Sequence, residues 1–437
     1  MFRTETIVEG VQLHALPTSK FKTITFRVYV QTALGDNTAL TALLPMVMSR
    51  GSARLRTMQA IASHLADLYG ARFGCDVSKI GERHCVEFYF EIPGGAYVEE
   101  GREVLERGVA TLVQLVCDPW TDGAQFDPEY VAREKLNLIN RVNSLINDKR
   151  SYALQRFYET MFVGEPFSIF KYGTIEEIKN ATPQALWQHY RAVMSHSPID
   201  IFVVGDVDLG VVKRRWTEGL SEWRDGYRPL PSPKQWPAPT EARQVQEQGD
   251  LQQGILLFGY RTPITYKSPD YYKLLVYNGV LGSFPHSKLF INVREQASLA
   301  YYVWARLEAS KGFLMINAGI HPDNYDKAVQ IILNQIKEMN QGNISSEELA
   351  ATKRGLISGV LTMEDSAMAV IDRGITGVIN GVRRDMEAAI DAIRQVTIGD
   401  LVEQGRQLQL DTIYFLRGHP LAHFDGAATR AKGARVP

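Results

Sequence analysis

The sequence predicts an α+β protein made of two related units, and three observations carry that expectation. Short runs with alternating apolar residues, such as Thr23-Ile24-Thr25-Phe26-Arg27-Val28-Tyr29-Val30, are interspersed with longer segments whose apolar residues recur at helical spacing. Pro229, Pro231, Pro233, Pro237 and Pro239 crowd the stretch from Asp225 to Thr240, which is the composition of a semi-rigid linker. The pattern Asp127-Pro128-Glu129-Tyr130-Val131 returns as Ser345-Ser346-Glu347-Glu348-Leu349, and the cap, helix and strand of residues 182–205 return at 397–418, both at an offset of roughly 215 residues. Two matches in one order at one offset argue for duplication of a single unit. The expected division is residues 1–224, a linker at 225–240, residues 241–424, and a tail at 425–437 whose Ala, Gly, Arg and Lys residues fray.

Each element has a local cause. Val11–Leu16 and Thr23–Val30 read as two strands joined by a turn, Asp36 or Asn37 as the cap of a helix through Leu40, Leu43, Leu44 and Val47 that stops at Gly51, and Thr57 as the start of the next helix. Strands are expected over 72–78 and 85–92, then a helix over 98–117. Asp127-Pro128 supplies a cap and a first-turn proline for a long helix, and Thr182-Pro183 repeats the device before the β-prone run Ile199–Gly205. Beyond the linker come a strand at 253–260, a helix at 270–281, a strand pair within 307–320, a helix at 323–339, and a capping box at Ser345–Glu348.

Composition removes several function classes. Hydrophobic content of 45% and charged content of 22% are those of a folded protein with a large core, and the formal net charge of −1 offers no global field for nucleic acid or anionic membrane. No run of about 18 apolar residues is present and the N-terminus lacks an apolar signal core, so a cytoplasmic protein is expected. Cys75, Cys85 and Cys117 are too few and too scattered for a disulfide framework. No phosphate-binding Gly-rich loop and no Gly-x-Ser-x-Gly elbow occurs; Gly74-Cys75-Asp76 reads as a strand end, and Lys213-Arg214-Arg215 as a solvated helix face.

The informative stretch is Leu281–Val303, LGSFPHSKLFINVREQASLAYYV, which reads as turn, helix, turn and then a strand starting near Tyr301. It resembles the C-terminal-half signature of the pitrilysin-type (M16, inverzincin) zinc peptidases. In that family an Arg and a Tyr seven residues later hold carbonyl groups of the scissile peptide, and here they are Arg294 and Tyr301. A guanidinium and a phenol are donors suited to a carbonyl that gains charge during attack. Tyr302 stands beside Tyr301, but the seven-residue spacing favours Tyr301. The resemblance covers nearly the whole chain and implies two similar domains, each a mostly antiparallel sheet with helices packed on it, facing each other across a cleft.

An active member carries His-x-x-Glu-His on its first helix and a further Glu on a later one, because zinc needs three protein ligands, an open position for water and a carboxylate to take the water's proton. The resemblance places that motif at Ala42-Leu43-Leu44-Pro45-Met46, and the later Glu at Arg141, seven residues after Glu134. Ala42, Pro45, Met46 and Arg141 supply no ligand. None of the nine histidines offers a substitute: His84 and Glu87 lie on opposite faces of a strand, His419 and His423 flank Pro420, His286 sits in a turn, and His14, His64, His189, His196 and His321 are isolated.

The resemblance is to members of paired systems in which one subunit bears the zinc motif and the other lacks it but keeps Arg and Tyr. LHALPTSKFKT and LADLYGARFGCDVSKIGE look like the inactive partners of cytoplasmic pairs in Gram-positive bacteria. The implied function is that of a non-zinc-binding subunit of a heterodimeric peptidase, with zinc and base in the partner and a peptide carbonyl clamped by Arg294 and Tyr301. An inert scaffold subunit of the same fold is the alternative, and a homodimer of the isolated chain is open.

Overall fold

The structure is a computed structural model that describes residues 2–418 apart from 225, 232–235 and 238. The first half contains β1 (Arg3–Val8), β2 (Val11–Pro17), β3 (Thr23–Ala33), α1 (Thr38–Met48), α2 (Met58–Ala66), β4 (Arg72–Ile80), β5 (Arg83–Pro93), α3 (Gly101–Cys117), α4 (Pro128–Asn147), α5 (Lys149–Met161), α6 (Ile175–Asn180), α7 (Pro183–His196), β6 (Ile199–Gly205) and α8 (Leu209–Leu220). The second contains β7 (Arg243–Gln248), β8 (Gly254–Arg261), α9 (Tyr271–Asn278), β9 (Ala300–Glu308), β10 (Phe313–Ile320), α10 (Tyr325–Asn340), α11 (Ser346–Met363), α12 (Ala367–Asn380), α13 (Met386–Gln395), α14 (Ile398–Arg406) and β11 (Gln409–Arg417). The expected tail at 425–437, His419 and His423 lie outside the described residues.

Two mixed sheets result, in the orders β1-β2-β6-β3-β5-β4 and β7-β11-β8-β10-β9. With β1 set aside, the orders correspond strand for strand. The senses correspond too: β2 is parallel to β6 and β7 to β11, and the other neighbours are antiparallel. The repeated sequence patterns therefore fall on equivalent elements, α4 with α11 and α7–β6 with α14–β11.

β2 and β3 are joined by a turn but do not pair as a hairpin, because β6 inserts between them. Every residue of β6 is buried, and a strand so enclosed needs backbone partners on both edges. The side chains of Thr57, Asp127, Thr182 and Ser345 cap their helices as expected. Neither Asp36 nor Asn37 caps α1; the Gly35 amide donates to Thr38 Oγ1 at 3.1 Å instead. Gly74–Asp76 lies inside β4 rather than at its end.

One face of each sheet is buried under helices of its own half, α1, α3, α7 and α8 in the first and α9, α10, α13 and α14 in the second. The opposite faces are covered reciprocally. From the first half, α5 brings Ala153, Phe157 and Met161 into one cluster with Leu257, Met315 and Tyr414 of the second sheet. From the second half, α12 brings Ile371 and Ile375 against Tyr29, Phe202 and Val204 of the first. A Cβ on Gly259 of β8 would collide with Met161 and Phe157, so glycine is what allows α5 to lie so close. Each such buried side chain contributes roughly 1.5–3 kcal/mol, and each half depends on the other for it.

The β4–β5 and β9–β10 hairpins meet at their tips. Lys311 pairs with Glu82 and with Glu165 (2.6 Å), Arg261 with Glu165 and Asp411 (2.6 Å to Asp411), and Arg243 with Asp411 (2.9 Å). This largely buried network fixes the junction at which β4 and β9, the outermost strands of their sheets, both end.

Candidate functional site

Two of the four positions implied for zinc ligands and base, Pro45 and Arg141, contact the edge strand β4. On α1, Ala42 and Pro45 are buried and Met46 is half-buried. Pro45 has no N–H for the carbonyl four residues back, and its own carbonyl accepts from Cys75 Sγ at 3.0 Å. On α4, Arg141 pairs with Asp76 at 3.0 Å and lies 4.9 Å from the Tyr172 ring. Glu134, one heptad earlier, is buried and accepts from Arg50 and Asn137. The side chains at the four positions are a methyl group, a pyrrolidine, a thioether and a guanidinium, and the last is paired with Asp76. That set does not fit zinc: it offers no imidazole or free carboxylate, and it places a cation where the metal's charge would be. Among the described residues, no three His, Cys, Asp or Glu side chains gather elsewhere in a metal-sized group.

Arg294 and Tyr301 frame a different piece of backbone. The expected helix between Gly282 and Tyr301 is present but widened to π geometry over Gly279–Ser283 and Phe290–Gln296. Such turns are rare and concentrate at functional sites. The Arg294 guanidinium lies 4.7 Å from the Phe290 ring, one turn back, and its side chain stays 43% exposed. Ser298 adopts a positive φ of 52°, and the Leu299 amide donates to the Val293 carbonyl at 3.0 Å, which turns the chain sharply into β9. In the β9–β10 register Tyr302 faces Gly319 and Ala300 faces Ile320, so Tyr301 has no opposite residue and forms a β-bulge. The bulge re-aims the side chain, which is 59% exposed, and among the described residues no protein group bonds its hydroxyl.

The bulge also breaks the strand alternation that would put Tyr301 and Tyr302 on opposite faces. Tyr302 is separated from it by packing instead: a Cβ on Gly319 would collide with its ring, and the Arg150 guanidinium lies 4.7 Å from that ring. Arg150 opens α5, the helix that follows Arg141's helix α4. The helix pair α4–α5 therefore carries both Arg141 and the residue against Tyr302, next to Tyr301.

The remaining sequence candidates are structural. His84 is fully buried, and burial together with the charges of Lys171 and Lys79 pushes it down to about 3, while Glu87 is engaged by Arg27 and Ser78. His189 is pushed down to about 4 by burial and bonds Thr41 Oγ1 at 2.8 Å. His286 stacks on Phe284 and bonds Thr352 at 3.0 Å. Lys213, Arg214 and Arg215 are all paired, with Glu5, Glu106 and Glu218. Sequence reasoning missed the bulge and the lysines of β4 and the 166–174 loop; neither leaves a local signature.

A family profile described as Peptidase M16 inactive domain matches residues 180–356. Over 419 residues, covering 94% of this chain and 96% of the relative, the sequence is 35% identical to a Bacillus subtilis (strain 168) protein described as a probable inactive metalloprotease, YmfF. The chain belongs to the M16 peptidase family. The crystal structure of a conserved protein from Enterococcus faecalis V583 superposes on this M16 chain with a TM-score of 0.89 at 29% identity, covering 96% of this chain and 99% of that one. A Mycobacterium leprae (strain TN) relative, 24% identical over 70% of this chain and 69% of its own, is described as an uncharacterized zinc protease. Within the M16 family this chain is an inactive-type homologue.

Proposed function

We propose that this chain is the zinc-free subunit of a two-chain cytoplasmic M16 peptidase, and that Arg294 and Tyr301 clamp a carbonyl of a peptide cut by a zinc-bearing M16 partner. Its domain units are residues 1–224 and 241–424 on either side of the 225–240 linker. The observation that carries the reading is the state of Tyr301: a large phenol on a bulge, exposed, with its hydroxyl unengaged, next to an exposed arginine. Tyr69 and Tyr97 are exposed as well, so what distinguishes Tyr301 is its place on the bulge seven residues after Arg294. The two side chains provide donors for a carbonyl oxygen that becomes negative in the transition state, while the partner supplies metal and base. The edges of β4 and β9 add unpaired backbone on which an extended peptide pairs as an extra strand.

The test is turnover of a fluorogenic peptide library by the chain reconstituted with a zinc-bearing M16 relative. Arg294→Ala and Tyr301→Phe each lower turnover on the order of 10²–10³-fold, the scale for loss of one such donor, with assembly by gel filtration and partner zinc content unchanged. Turnover within about twofold of wild type, under roughly 0.5 kcal/mol of barrier, removes the clamp and leaves an inert scaffold subunit.

A further inference from the structure

A cavity of about 830 Å³ opens beside Arg141, between α4, α5 and the loop around residues 166–174. Its volume is that of a pocket for several amino-acid residues. Val142, Leu145 and Leu154 give it apolar walls, and Lys79, Arg141 and Lys171 lie together on its lining. The carboxylates on the same lining are committed or peripheral. Glu159 pairs with Arg156 at 2.5 Å, Glu177 accepts the Thr174 amide at 2.7 Å in a capping box, and Asp36 is exposed.

The two lysines differ from Arg141 and Arg156, the other cations on this lining, in what they touch. Lys79 Nζ donates to the carbonyls of Phe167 (2.8 Å) and Ile169 (3.3 Å), and Lys171 Nζ to that of Val77 (2.9 Å). Among the described residues neither ammonium has a carboxylate within ion-pair distance. Asp76 acts on Lys171 through space but is held by Arg141, and Glu308 acts on Lys79 while burial pushes its own carboxyl up toward the neutral form. Lys171 has three N–H donors and one bonded carbonyl, so donors remain for a ligand.

We infer that this cavity binds a peptide carboxylate, held by Lys171 with Arg141 and Lys79, while the neighbouring apolar side chain of the peptide packs on the α4–α5 wall. Burial lowers Lys79 to about 8 and Lys171 in the same direction, the condition of ammonium groups desolvated without a counter-ion, and an arriving carboxylate supplies one. The inference rests on the proposed peptide-binding function and specifies which peptides are preferred.

The experiment is fluorescence anisotropy with the full chain and N-acetylated, dye-labelled hexapeptides ending in leucine, made as the free acid and as the C-terminal amide, plus an amide with Glu or Gln next to the leucine. The free acid binds at least tenfold more tightly than the plain amide, the scale of one charge-assisted hydrogen bond. Lys171→Met reduces that preference to under twofold and Lys171→Arg keeps it, with melting temperatures matching wild type. If the Glu amide matches the free acid, the carboxylate site stands and side-chain carboxylates are its source. Equal affinity for acid and all amides in the wild-type chain overturns the inference and leaves peptide binding intact. Absence of binding by every peptide removes the peptide-binding reading, and this inference with it.

Discussion

The two halves share one sheet order and one set of senses, yet they build the segments between equivalent strands differently. In the first half, α1 is a regular helix buried on its sheet, and Ala42, Pro45 and Met46 have become packing residues. In the second, the segment leading into the outermost strand is widened into π turns, kinked at Ser298 and bulged at Tyr301, and it presents Arg294 and Tyr301 to solvent. The first half also turns sharply into its edge strand, with Tyr69 at φ 57°, but β4 then pairs with β5 without a bulge. In the second half the departure from ideal geometry is larger, with π turns and a bulge added to the turn, as expected where neighbouring structure must hold side chains off their default directions. The covering helices contrast as well: α5 meets the second sheet mainly with aromatic and thioether side chains, α12 the first mainly with isoleucines.

The largest effects should come from breaking the mutual cover. Phe157→Ala removes a fully buried ring from the α5 interface and should cost about 3–5 kcal/mol; Asp411→Asn leaves Arg243 and Arg261 short of a buried charge, with a cost of similar size. In urea unfolding monitored by hydrogen exchange, both sheets should lose protection together. A variant whose first sheet keeps wild-type protection while the second melts would show that the halves are independent.

Acid sharpens the contrast between the halves. His84 and His189, both in the first half, have folded values pushed down to about 3 and about 4. Between pH 6.5 and those values the unfolded chain binds more protons than the folded one, so stability falls as pH drops, by about 1.4 kcal/mol per pH unit for each histidine that lags a full proton. His84→Leu should flatten the slope of unfolding free energy against pH by close to one proton; an unchanged slope between pH 6 and 4.5 would mean that His84 does not titrate differently in the two states.

Ile375→Val trims one methylene from the α12 interface and should cost about 1 kcal/mol, less than the aromatic truncation on the opposite side. Equal costs for the two would erase the contrast between the covering helices. Smallest of all, Tyr302→Phe should leave stability and reconstituted turnover within about 0.5 kcal/mol of wild type, because the ring's packing on Gly319 and beneath Arg150 survives loss of the hydroxyl. A loss matching that of Tyr301→Phe would move the clamp one residue along the strand.

Several features are legible in the sequence because they are local. A cap and its helix lie within four residues of each other, so Thr57, Asp127, Thr182 and Ser345 could be read directly. The duplication was legible because helix starts and buried strands recur in register along the chain. The identities at Ala42, Pro45, Met46 and Arg141 rule out a zinc site there by chemistry alone, whatever the packing around them. Arg294 and Tyr301 could be singled out by the family resemblance of the stretch Leu281–Val303, but not the bulge on which Tyr301 sits.

What the tertiary structure decided is what depends on partners distant in sequence. β6 reads as a strand from its own residues, but its place between β2 and β3 is set by the competition of all strands for backbone partners. The bulge exists only relative to the β10 register, and Gly259 and Gly319 have their roles only because Phe157 and Tyr302 arrive there from other elements. Lys79 and Lys171 are ordinary lysines in sequence, and it is folding that sets them beside Arg141 with carbonyl oxygens rather than carboxylates as neighbours. Side-chain chemistry travels with the residue, whereas desolvation, register and electrostatic surroundings are properties of the packed chain. The sequence alone therefore determined the fold class and the repeat, while the exposure of Tyr301 and the charge of the cavity were decided by contacts between segments far apart along the chain.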